Sequence, residues 1–462
     1  MQNKTLIVGG GLVGSLWACI LKKRGFDVEI FEKRPNPQNL EVPAGRSINL
    51  VITSRGIHGL KMAGLLEKIL PITVPIYGRC IHPKTGATAF QPYGRDKSEC
   101  NYSVSRWALN KALIKSCQDA SIPFHFEHTA ESIDPDKKKI TFKTDKGLSI
   151  QSYERLFITD GAGSALRNSL LLKKPDLFSE SIDWLTSDYK EIDLPAGPDG
   201  KAAIDVNSLH IWPRGTHMMM GLANPDNSFT LTLYLPRADL PYAFTQLKKE
   251  SEVKNFFHEE FPDSLSYLKN YAPQFLENPQ GKLATVRLNK WTLDDSIAFM
   301  GDAAHAIVPF FGQGMNLGFE DCTNMIKFYD ESQGNWKAAF DIYDKSQRPN
   351  ANAIADMALE NFIEMRDKVG DKNFQFRKKI EALLEKHFPQ YYRSRYGLIT
   401  YTLVPYSVAQ KVGIKQSEFL ANLAENLENP EDLDLEDTKK KLETDFYPWM
   451  RSLGVETKSY KP

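Results

Sequence analysis

Residues 4–34 contain the pattern that most constrains the fold, KTLIVGGGLVGSLWACILKKRGFDVEIFEKR. The apolar run at residues 5–8 predicts a short buried strand, and residues 12–23 predict a helix. The β-branched run at residues 28–31 predicts a second strand. Strand, glycine turn, helix and strand in this order form a βαβ unit, which places the two strands parallel in one sheet. We therefore predict an α/β fold that begins with a Rossmann-like domain.

The turn of this unit has the spacing GxGxxG, at Gly9, Gly11 and Gly14. In such a unit the first glycine permits the tight turn, the second lets the backbone approach a pyrophosphate, and the third lets helix and strand pack closely. Glu32 at the end of the second strand is placed to accept hydrogen bonds from ribose hydroxyls. The alternative is a glycine-rich turn that binds nothing. The strand, the helix and the acidic strand end together favour a dinucleotide site.

At 462 residues the chain is too long for one ordinary hydrophobic core, so we predict several domains. Alternating patterns in residues 76–95 and 200–237, such as SFTLTLYL, predict antiparallel strands that cover one face of a pocket. From about residue 349 the pattern is helical. The predicted domains are a discontinuous dinucleotide-binding domain (1–75, 100–180 and 282–348), an antiparallel-sheet substrate domain (76–99 and 181–281) and a C-terminal helical region (349–462).

The charge balance restricts the kind of partner. With 58 basic and 58 acidic side chains the net charge is zero, which argues against a nucleic acid or an anionic membrane bound by bulk charge. A small neutral or zwitterionic substrate fits better. The uncharged stretch at residues 396–410 is too short and too polar to span a bilayer.

The five cysteines, at positions 19, 80, 100, 117 and 322, are odd in number and have no CxxC or histidine-paired spacing. Neither a disulfide framework nor a metal site is therefore expected, and the reducing cytoplasm is the expected compartment. The oligomeric state stays open, with a homodimer as one alternative.

Two further segments place an aspartate in a turn after an apolar strand: ERLFITDGAGSALR (154–167) and SIAFMGDAAH (296–305). The second continues into VPFFGQGMNLGFED, where apolar aromatic residues meet glycines before a predicted helix at residues 312–321. Together with the N-terminal fingerprint, these segments resemble the aromatic-hydroxylase family of flavoprotein monooxygenases. Where that family has Gly-Ala-Asp-Gly, this chain has Ile158-Thr159-Asp160-Gly161.

The resemblance implies a tightly bound FAD, and a transient NADPH because the chain has only one dinucleotide fingerprint. The flavin would supply the chemistry through a C4a-hydroperoxide, so no catalytic side chain is expected, and His305 would be structural. Pro309, Phe310 and Phe311 would exclude water beside the flavin. The implied FAD contacts are Gly9, Gly11, Val13, Gly14, Phe31, Glu32, Lys33, Arg34, Val51, Arg106, Asp160, Asp302, Gly314, Met315 and Asn316.

Further strings resemble the kynurenine-hydroxylating branch of this family across nearly the whole chain: GRSINLVITSRG, QPYGRD, LHIWPRG, GKLATVRL, VPFFGQGMN and MALENFIEM. The resemblance implies that L-kynurenine and O₂ react to give 3-hydroxy-L-kynurenine, a step of tryptophan degradation. Eukaryotic relatives have a C-terminal hydrophobic anchor; the ending YPWMRSLGVETKSYKP predicts a soluble bacterial form without one. The implied substrate contacts are Arg79, Tyr93, Asn361, Tyr396, Leu209, Leu222, Tyr234, Pro309, Phe310, Phe311, Glu364 and Met365.

The implied contacts make chemical sense, because an arginine fork binds a carboxylate bidentately and an aromatic ring needs apolar walls. Each also has a simpler interpretation. Asn361, Glu364 and Met365 share a helical face that could be ordinary core, and Arg79 could be a surface cation. Two other functions stay open: a hydroxylase of the same fold acting on a benzoate or phenol, and a non-catalytic flavin-binding redox sensor.

Overall fold

The computed structural model of the chain describes residues 4–40, 48–365, 372–425 and 427–460. The first three residues of the string GRSINLVITSRG, at 45–47, lie outside the described residues. Two compact units are present. The first comprises Met1–Thr73, Val104–Leu185 and Lys282–Asn352, and the second comprises Val74–Ser103, Thr186–Gly281 and Ala353–Pro462. The three domain boundaries predicted from the sequence stay predictions.

Most of the described strands have eight residues or fewer, and the longest, Glu180–Leu194, has 15. In chain order they are β1 (Thr5–Val8), β2 (Val28–Phe31), β3 (Asn49–Ile52), β4 (Val74–Ile76), β5 (Gly78–Ile81), β6 (Ala89–Pro92), β7 (Asn101–Ser105), β8 (Phe124–His125), β9 (Thr129–Asp134), β10 (Lys139–Thr144), β11 (Gly147–Ser152), β12 (Arg155–Ile158), β13 (Glu180–Leu194), β14 (Ser208–Pro213), β15 (Met218–Ala223), β16 (Phe229–Pro236), β17 (Gly281–Leu288), β18 (Thr292–Leu293) and β19 (Ile297–Phe299).

The longest of the described helices, Trp336–Ile363, has 28 residues. In chain order the helices are α1 (Leu12–Lys23), α2 (Ser54–Ala63), α3 (Leu66–Ile69), α4 (Arg106–Asp119), α5 (Ala165–Lys173), α6 (Glu250–Glu260), α7 (Tyr271–Glu277), α8 (Asp302–His305), α9 (Gly314–Glu331), α10 (Trp336–Ile363), α11 (Lys372–His387), α12 (Arg395–Tyr401), α13 (Tyr406–Ala424), α14 (Leu435–Lys441) and α15 (Tyr447–Ser452).

The first unit is built on a sheet with the strand order β18-β19-β12-β1-β2-β8. The strands β19, β12, β1, β2 and β8 pair in parallel, with Val8 in register with Ile158 and Phe31. Parallel strands end at the same edge of a sheet, so the turns after β1, β2, β12 and β19 meet there. The predicted βαβ unit is confirmed, and its strand and helix bounds coincide with those of β1, α1 and β2.

Apolar side chains on α1 hold this helix against the sheet. Trp17 is fully buried and its ring meets that of Phe157 on β12 edge to face at 5.1 Å. A second, antiparallel sheet of the same unit, β11-β10-β9, was not predicted from the sequence. Its strands are mostly polar and half-exposed, so their apolar alternation is weak.

The second unit contains a sheet in which β13, β16, β15, β14, β5 and β6 follow one another. The predicted antiparallel sheet is confirmed, with one departure: β14 and β5 run parallel, with Leu209 opposite Arg79. Strand direction depends on how a distant segment returns to the sheet, which an alternating pattern does not specify. The strand β16 is buried along its whole length.

The predicted C-terminal helical region is confirmed by α11 to α15. Within the second unit, Arg393 links this region to the segment between β6 and β7, because its guanidinium Nη1 donates to Oε1 of Glu99 at 2.8 Å. Gln416 on α13 donates to the carbonyl of Arg393. None of the helices in the described ranges has the length and apolar character that crossing a bilayer requires.

Candidate active site

Two of the three glycines in the GxGxxG spacing after β1 leave no room for a side chain. Gly9 has a φ of +106°, and a Cβ there would lie 2.4 Å from the carbonyl oxygen of Thr159. A Cβ on Gly14 would lie 2.0 Å from the carbonyl oxygen of Gly9. At Gly11, by contrast, a Cβ would meet nothing within 4 Å. The first and third glycines therefore serve the close packing of the unit, and the second borders open space at the start of α1.

The end of β2 braces this turn. One carboxylate oxygen of Glu32 accepts a hydrogen bond from the Gly10 N–H at 2.7 Å, and the other accepts from the Arg34 N–H at 2.9 Å. The ring of Phe31 stacks between His125 and Phe142, so its side chain belongs to the core. Lys33 and Arg34 are exposed. Glu32 thus fixes the turn while each of its oxygens keeps a further lone pair for a ribose hydroxyl.

The departure from the family pattern at Thr159 has a structural reason. Its hydroxyl lies 3.0 Å from the carbonyl oxygen of Val8 and 2.8 Å from that of Gly9, and donates to them. Asp160 follows, and its Oδ1 is buried without a hydrogen-bond donor among the described residues. Burial, the largest cause, raises the pKa of Asp160 above its usual value. This oxygen can therefore accept a hydrogen bond from a bound ligand.

Arg167 connects the two aspartate turns, a role that sequence analysis missed. Its guanidinium donates to the carbonyl of Ala162 at 2.7 Å and to that of Ala303 at 2.9 Å. A third bond at 2.5 Å reaches Glu180. The side chain is buried and sits on α5, in the helical pattern directly after the Asp160 turn. That position was visible in the sequence, but its partners were not.

The Gly301–Asp302 turn is held from α9. Gly301 has a φ of +62° and its N–H donates to Asp321 Oδ2 at 2.8 Å. The same oxygen lies 2.6 Å from Nε2 of His305. Burial opposes the charged imidazolium, but the Asp321 carboxylate outweighs it and the pKa of His305 is raised. His305 is committed to this buried pair, so its contact supports the structural role implied for it.

The first turn of α9 approaches β3 through one amide side chain. The Asn316 amide donates to the carbonyls of Val51 and Gly312 at 2.7 and 2.9 Å, and accepts from the Thr53 N–H at 2.9 Å. The first backbone bond inside the helix runs from Leu317 to Gln313 at 2.8 Å. The N–H groups of Gly314, Met315 and Asn316 therefore precede the helical ladder and give this end its positive potential.

Changing Asn316 to aspartate should lower the free energy of unfolding by roughly 2 kcal/mol or more, since each buried carbonyl left without a donor costs about 1–3 kcal/mol. Chemical denaturation measures this effect. The matched control is Asn335→Asp, because within the described parts of the chain that exposed side chain acts only as an acceptor, from the Ala338 N–H at 3.1 Å. Equal loss in both variants would contradict the assigned bonds.

The apolar segment before α9 forms a 3₁₀ turn, Pro309–Phe311. Phe310 is buried, and Gly312 follows with a φ of +64°. That left-handed conformation favours glycine, so the turn needs one at this position. Other predicted FAD contacts of the first unit are Val13, which packs against Gly301 and Gly318, Val51 on β3, exposed Arg106 at the start of α4, and Asp302 at the start of α8.

In the second unit, several predicted substrate residues share one face of the sheet. Arg79 lies opposite Leu209, and Met218 lies opposite Tyr234. Since side chains two residues apart point to the same face, pairing of β14 with β15 and of β15 with β16 places Leu222 on it as well. Leu222 and Tyr234 are buried. The face thus combines one arginine with apolar and aromatic groups, and it also carries polar side chains such as Glu191 and Thr232.

Arg79 lies among hydroxyl groups. Its Nε donates to Oε1 of Gln91 at 2.8 Å, and its charge acts on both Tyr93 and Tyr396. These two rings stack with centroids 5.1 Å apart. Burial, the largest cause, raises the pKa of Tyr396 to about 12, and it raises that of Tyr93 beyond its usual value too. Both phenols therefore stay protonated at neutral pH and can donate to an anion.

Several polar neighbours of this cluster were missed from the sequence. Asn101 Nδ2 donates to the Tyr396 hydroxyl at 2.9 Å, and Lys378 Nζ donates to Glu381 at 2.9 Å. The pKa of Lys378 is raised, chiefly by the Glu381 carboxylate and further by that of Glu364. Burial and the charge of Arg79 act in the opposite direction but do not cancel this increase. Gln91 was visible in the string QPYGRD, but Lys378 and Asn101 carry no motif.

Asn361 and Met365 are joined by a contact of their own. The Asn361 amide lies 3.4 Å from the Met365 sulfur, one helical turn along the chain. Met365 is buried and Asn361 is half-buried. This contact orients the amide. The assignment of both residues to the substrate stays a prediction.

Comparisons with known proteins extend these observations. An FAD binding domain model matches residues 2–358. A kynurenine 3-monooxygenase of Myxococcus xanthus (strain DK1622) is 39% identical over 453 residues, which is 97% of each chain. The chain belongs to the kynurenine 3-monooxygenase family. The relative from Dictyostelium discoideum with that name is also 39% identical, over 94% of this chain and 96% of its own.

Solved structures show the same fold at low identity. The tetrameric form of 2-methyl-3-hydroxypyridine-5-carboxylic acid oxygenase is 18% identical, with a TM-score of 0.66 over 83% of this chain and 96% of that one. The predicted fold class is thereby confirmed.

The residues of the first unit fit the FAD that this family uses. Open space at Gly11, the N–H groups at the start of α1 and the buried Asp160 oxygen without a donor are all suited to a dinucleotide. Gly11, Glu32 and Asp160 would hold its phosphate and ribose parts. The first turn of α9 would stabilise negative charge on the flavin ring.

Proposed function

We propose that this chain is an NADPH- and FAD-dependent monooxygenase that converts L-kynurenine, O₂, NADPH and H⁺ into 3-hydroxy-L-kynurenine, water and NADP⁺. The observation that supports this substrate best is Arg79, whose charge acts on two protonated tyrosines and which shares a sheet face with Leu209, Leu222 and Tyr234. An amino acid with an aromatic ring needs both features. FAD, once reduced by NADPH, supplies the activation of O₂ and the transfer of one oxygen atom.

The side chains bind and orient the substrate. Arg79 pairs with its carboxylate, and the hydroxyls of Tyr93 and Tyr396 donate to the same group. Gln91 and Asn101 hold Arg79 and Tyr396 in place through the bonds described above. Leu209, Leu222 and Tyr234 provide the apolar wall for the ring. Asn361, Glu364 and Met365 complete the substrate contacts.

Other residues control water and charge. Pro309, Phe310 and Phe311 exclude water from the reacting atoms, and the ring amine of kynurenine activates the carbon next to it. No side chain has to act as a strong base. A cytoplasmic location and a homodimer stay predictions.

NADPH oxidation by the purified yellow protein should rise on addition of L-kynurenine, with formation of a product that has gained one oxygen. Absorbance at the NADPH band measures the rate of NADPH oxidation, and mass spectrometry identifies the product. Benzoates and phenols are the control substrates, and they should give no stimulation. Stimulation that produces only hydrogen peroxide would make kynurenine an effector and contradict the proposal. Absence of any stimulated turnover would favour the redox sensor.

A further inference from the structure

The face of the second unit's sheet opposite Arg79 carries two histidines and a cysteine that the proposed reaction does not use. Cys80 lies on β5, His82 directly follows β5, and His210 lies on β14, opposite Cys80. The Cys80 sulfur and one nitrogen of each imidazole all lie within 4.8 Å of one another. Both histidines are buried, and Cys80 is half-buried.

The outer hydrogen bonds fix where the ring protons are. His210 Nε2 lies 2.8 Å from the carbonyl oxygen of Asp205, which can only accept, so Nε2 carries a proton. His82 Nδ1 lies 3.1 Å from Asp263 Oδ2, and the Trp212 indole donates to the same oxygen at 2.7 Å. An oxygen that accepts from the indole presents lone pairs, so His82 Nδ1 is the donor in its contact with Asp263 and carries a proton.

The two remaining nitrogens face each other. His82 Nε2 and His210 Nδ1 are 2.9 Å apart, and in neutral rings both present lone pairs. Two lone pairs at this distance repel each other unless a positive group lies between them. A proton is one such group and a metal ion is the other. The nearby cysteine favours the metal, because a thiolate is a ligand for one but adds nothing to a proton shared between rings.

We propose that Cys80 Sγ, His82 Nε2 and His210 Nδ1 form a binding site for Zn²⁺. Nitrogen and sulfur ligands suit this borderline-soft ion, and three protein ligands leave a fourth position for water. Zn–N bonds of about 2.0 Å in a tetrahedral site need the two nitrogens about 3.3 Å apart, a small opening from the observed pair. Asp263 and Asp205 orient the two imidazoles, as carboxylate and carbonyl partners do at zinc sites.

Zinc bound at this proposed site would be a departure from the expectation, drawn from the cysteine spacing, that the chain has no metal site. Cys80 and His82 are separated by one residue, so they reach the same face only because the segment is extended. His210 is 128 residues from His82 and arrives through the parallel pairing of β5 with β14. A bound ion would tie these two strands together behind Arg79 and Leu209.

The test uses the full-length, FAD-loaded protein, freed of metal with a chelator and then equilibrated with Zn²⁺. We expect the parent protein to bind one more Zn²⁺ per chain than the variants Cys80→Ser and His210→Asn. Zinc binding in these variants should be at least roughly tenfold weaker. Gel filtration first separates the protein from free zinc. Elemental mass spectrometry then measures the zinc bound per chain. The matched control is Cys100→Ser, since Cys100 is also half-buried and should leave zinc binding unchanged.

Alkylation of the unmodified chain gives a second measurement that needs no variant. Zn²⁺ should slow the reaction of Cys80 with iodoacetamide by at least roughly tenfold, while Cys100 in the same molecule keeps its rate. Equal zinc content in the parent chain and Cys80→Ser, or an unchanged Cys80 rate, would overturn the proposal. A proton shared by the two histidines would then explain their contact. FAD content and circular dichroism show whether each variant is folded.

Discussion

Replacing Gly14 with alanine should give a colourless protein that has lost its FAD. The new Cβ would lie 2.0 Å from the Gly9 carbonyl oxygen and 2.5 Å from the Thr159 hydroxyl, and the first of these is backbone that cannot rotate away. Helix α1 must then move from the sheet, at a cost of about 1–3 kcal/mol or more. Because the glycine turn moves with it, we expect FAD affinity to fall on the order of 100-fold.

Gly11→Ala is the matched variant, because it adds the same methyl group where nothing lies within 4 Å and φ is −73°. We expect the stability of the apoprotein to change by less than about 0.5 kcal/mol. FAD binding should still weaken, since the methyl group occupies the approach of the pyrophosphate. Flavin fluorescence titration and denaturation of the apoproteins separate the two effects. Tight FAD binding by Gly11→Ala would show that the pyrophosphate lies elsewhere.

The N-terminal βαβ unit was predictable from the sequence because its signals are local. The apolar runs, the glycine spacing and the acidic strand end all lie within residues 4–34, and the bounds of β1, α1 and β2 agree with the prediction. The turns at Asp160 and Gly301 were located for the same reason. Each follows an apolar strand, and parallel strands bring their ends to one edge.

The contacts that fix these turns were not predictable, since they join residues far apart in the chain. Arg167 reaches Ala303 and Asn316 reaches Val51, at separations of 136 and 265 residues. Arginine in a helix and asparagine at a helix start each have many common roles, and only the tertiary structure selects one. The parallel pairing of β5 with β14, and with it the Cys80, His82 and His210 cluster, was hidden in the same way.

In the proposed site, Arg79 is the cation assigned to the substrate carboxylate. Arg79→Ala should lower kcat/KM for L-kynurenine by roughly 10- to 100-fold, chiefly through KM, because hydrogen bonds to a charged group contribute about 1.5–3 kcal/mol. Arg79→Lys keeps the charge but not the planar fork, so an intermediate loss is expected. Steady-state NADPH oxidation measures both variants.

An analogue of kynurenine without its carboxylate shows whether the loss comes from carboxylate binding or from damage to the sheet. Arg79 donates to Gln91 at 2.8 Å, so its removal could also disturb β5 and β6. If Arg79 binds the carboxylate, the decarboxylated analogue should react about equally, although poorly, with the parent protein and with Arg79→Ala. A parallel loss for both substrates would indicate a positioning role for Arg79. An unchanged KM for L-kynurenine would remove the carboxylate assignment of Arg79.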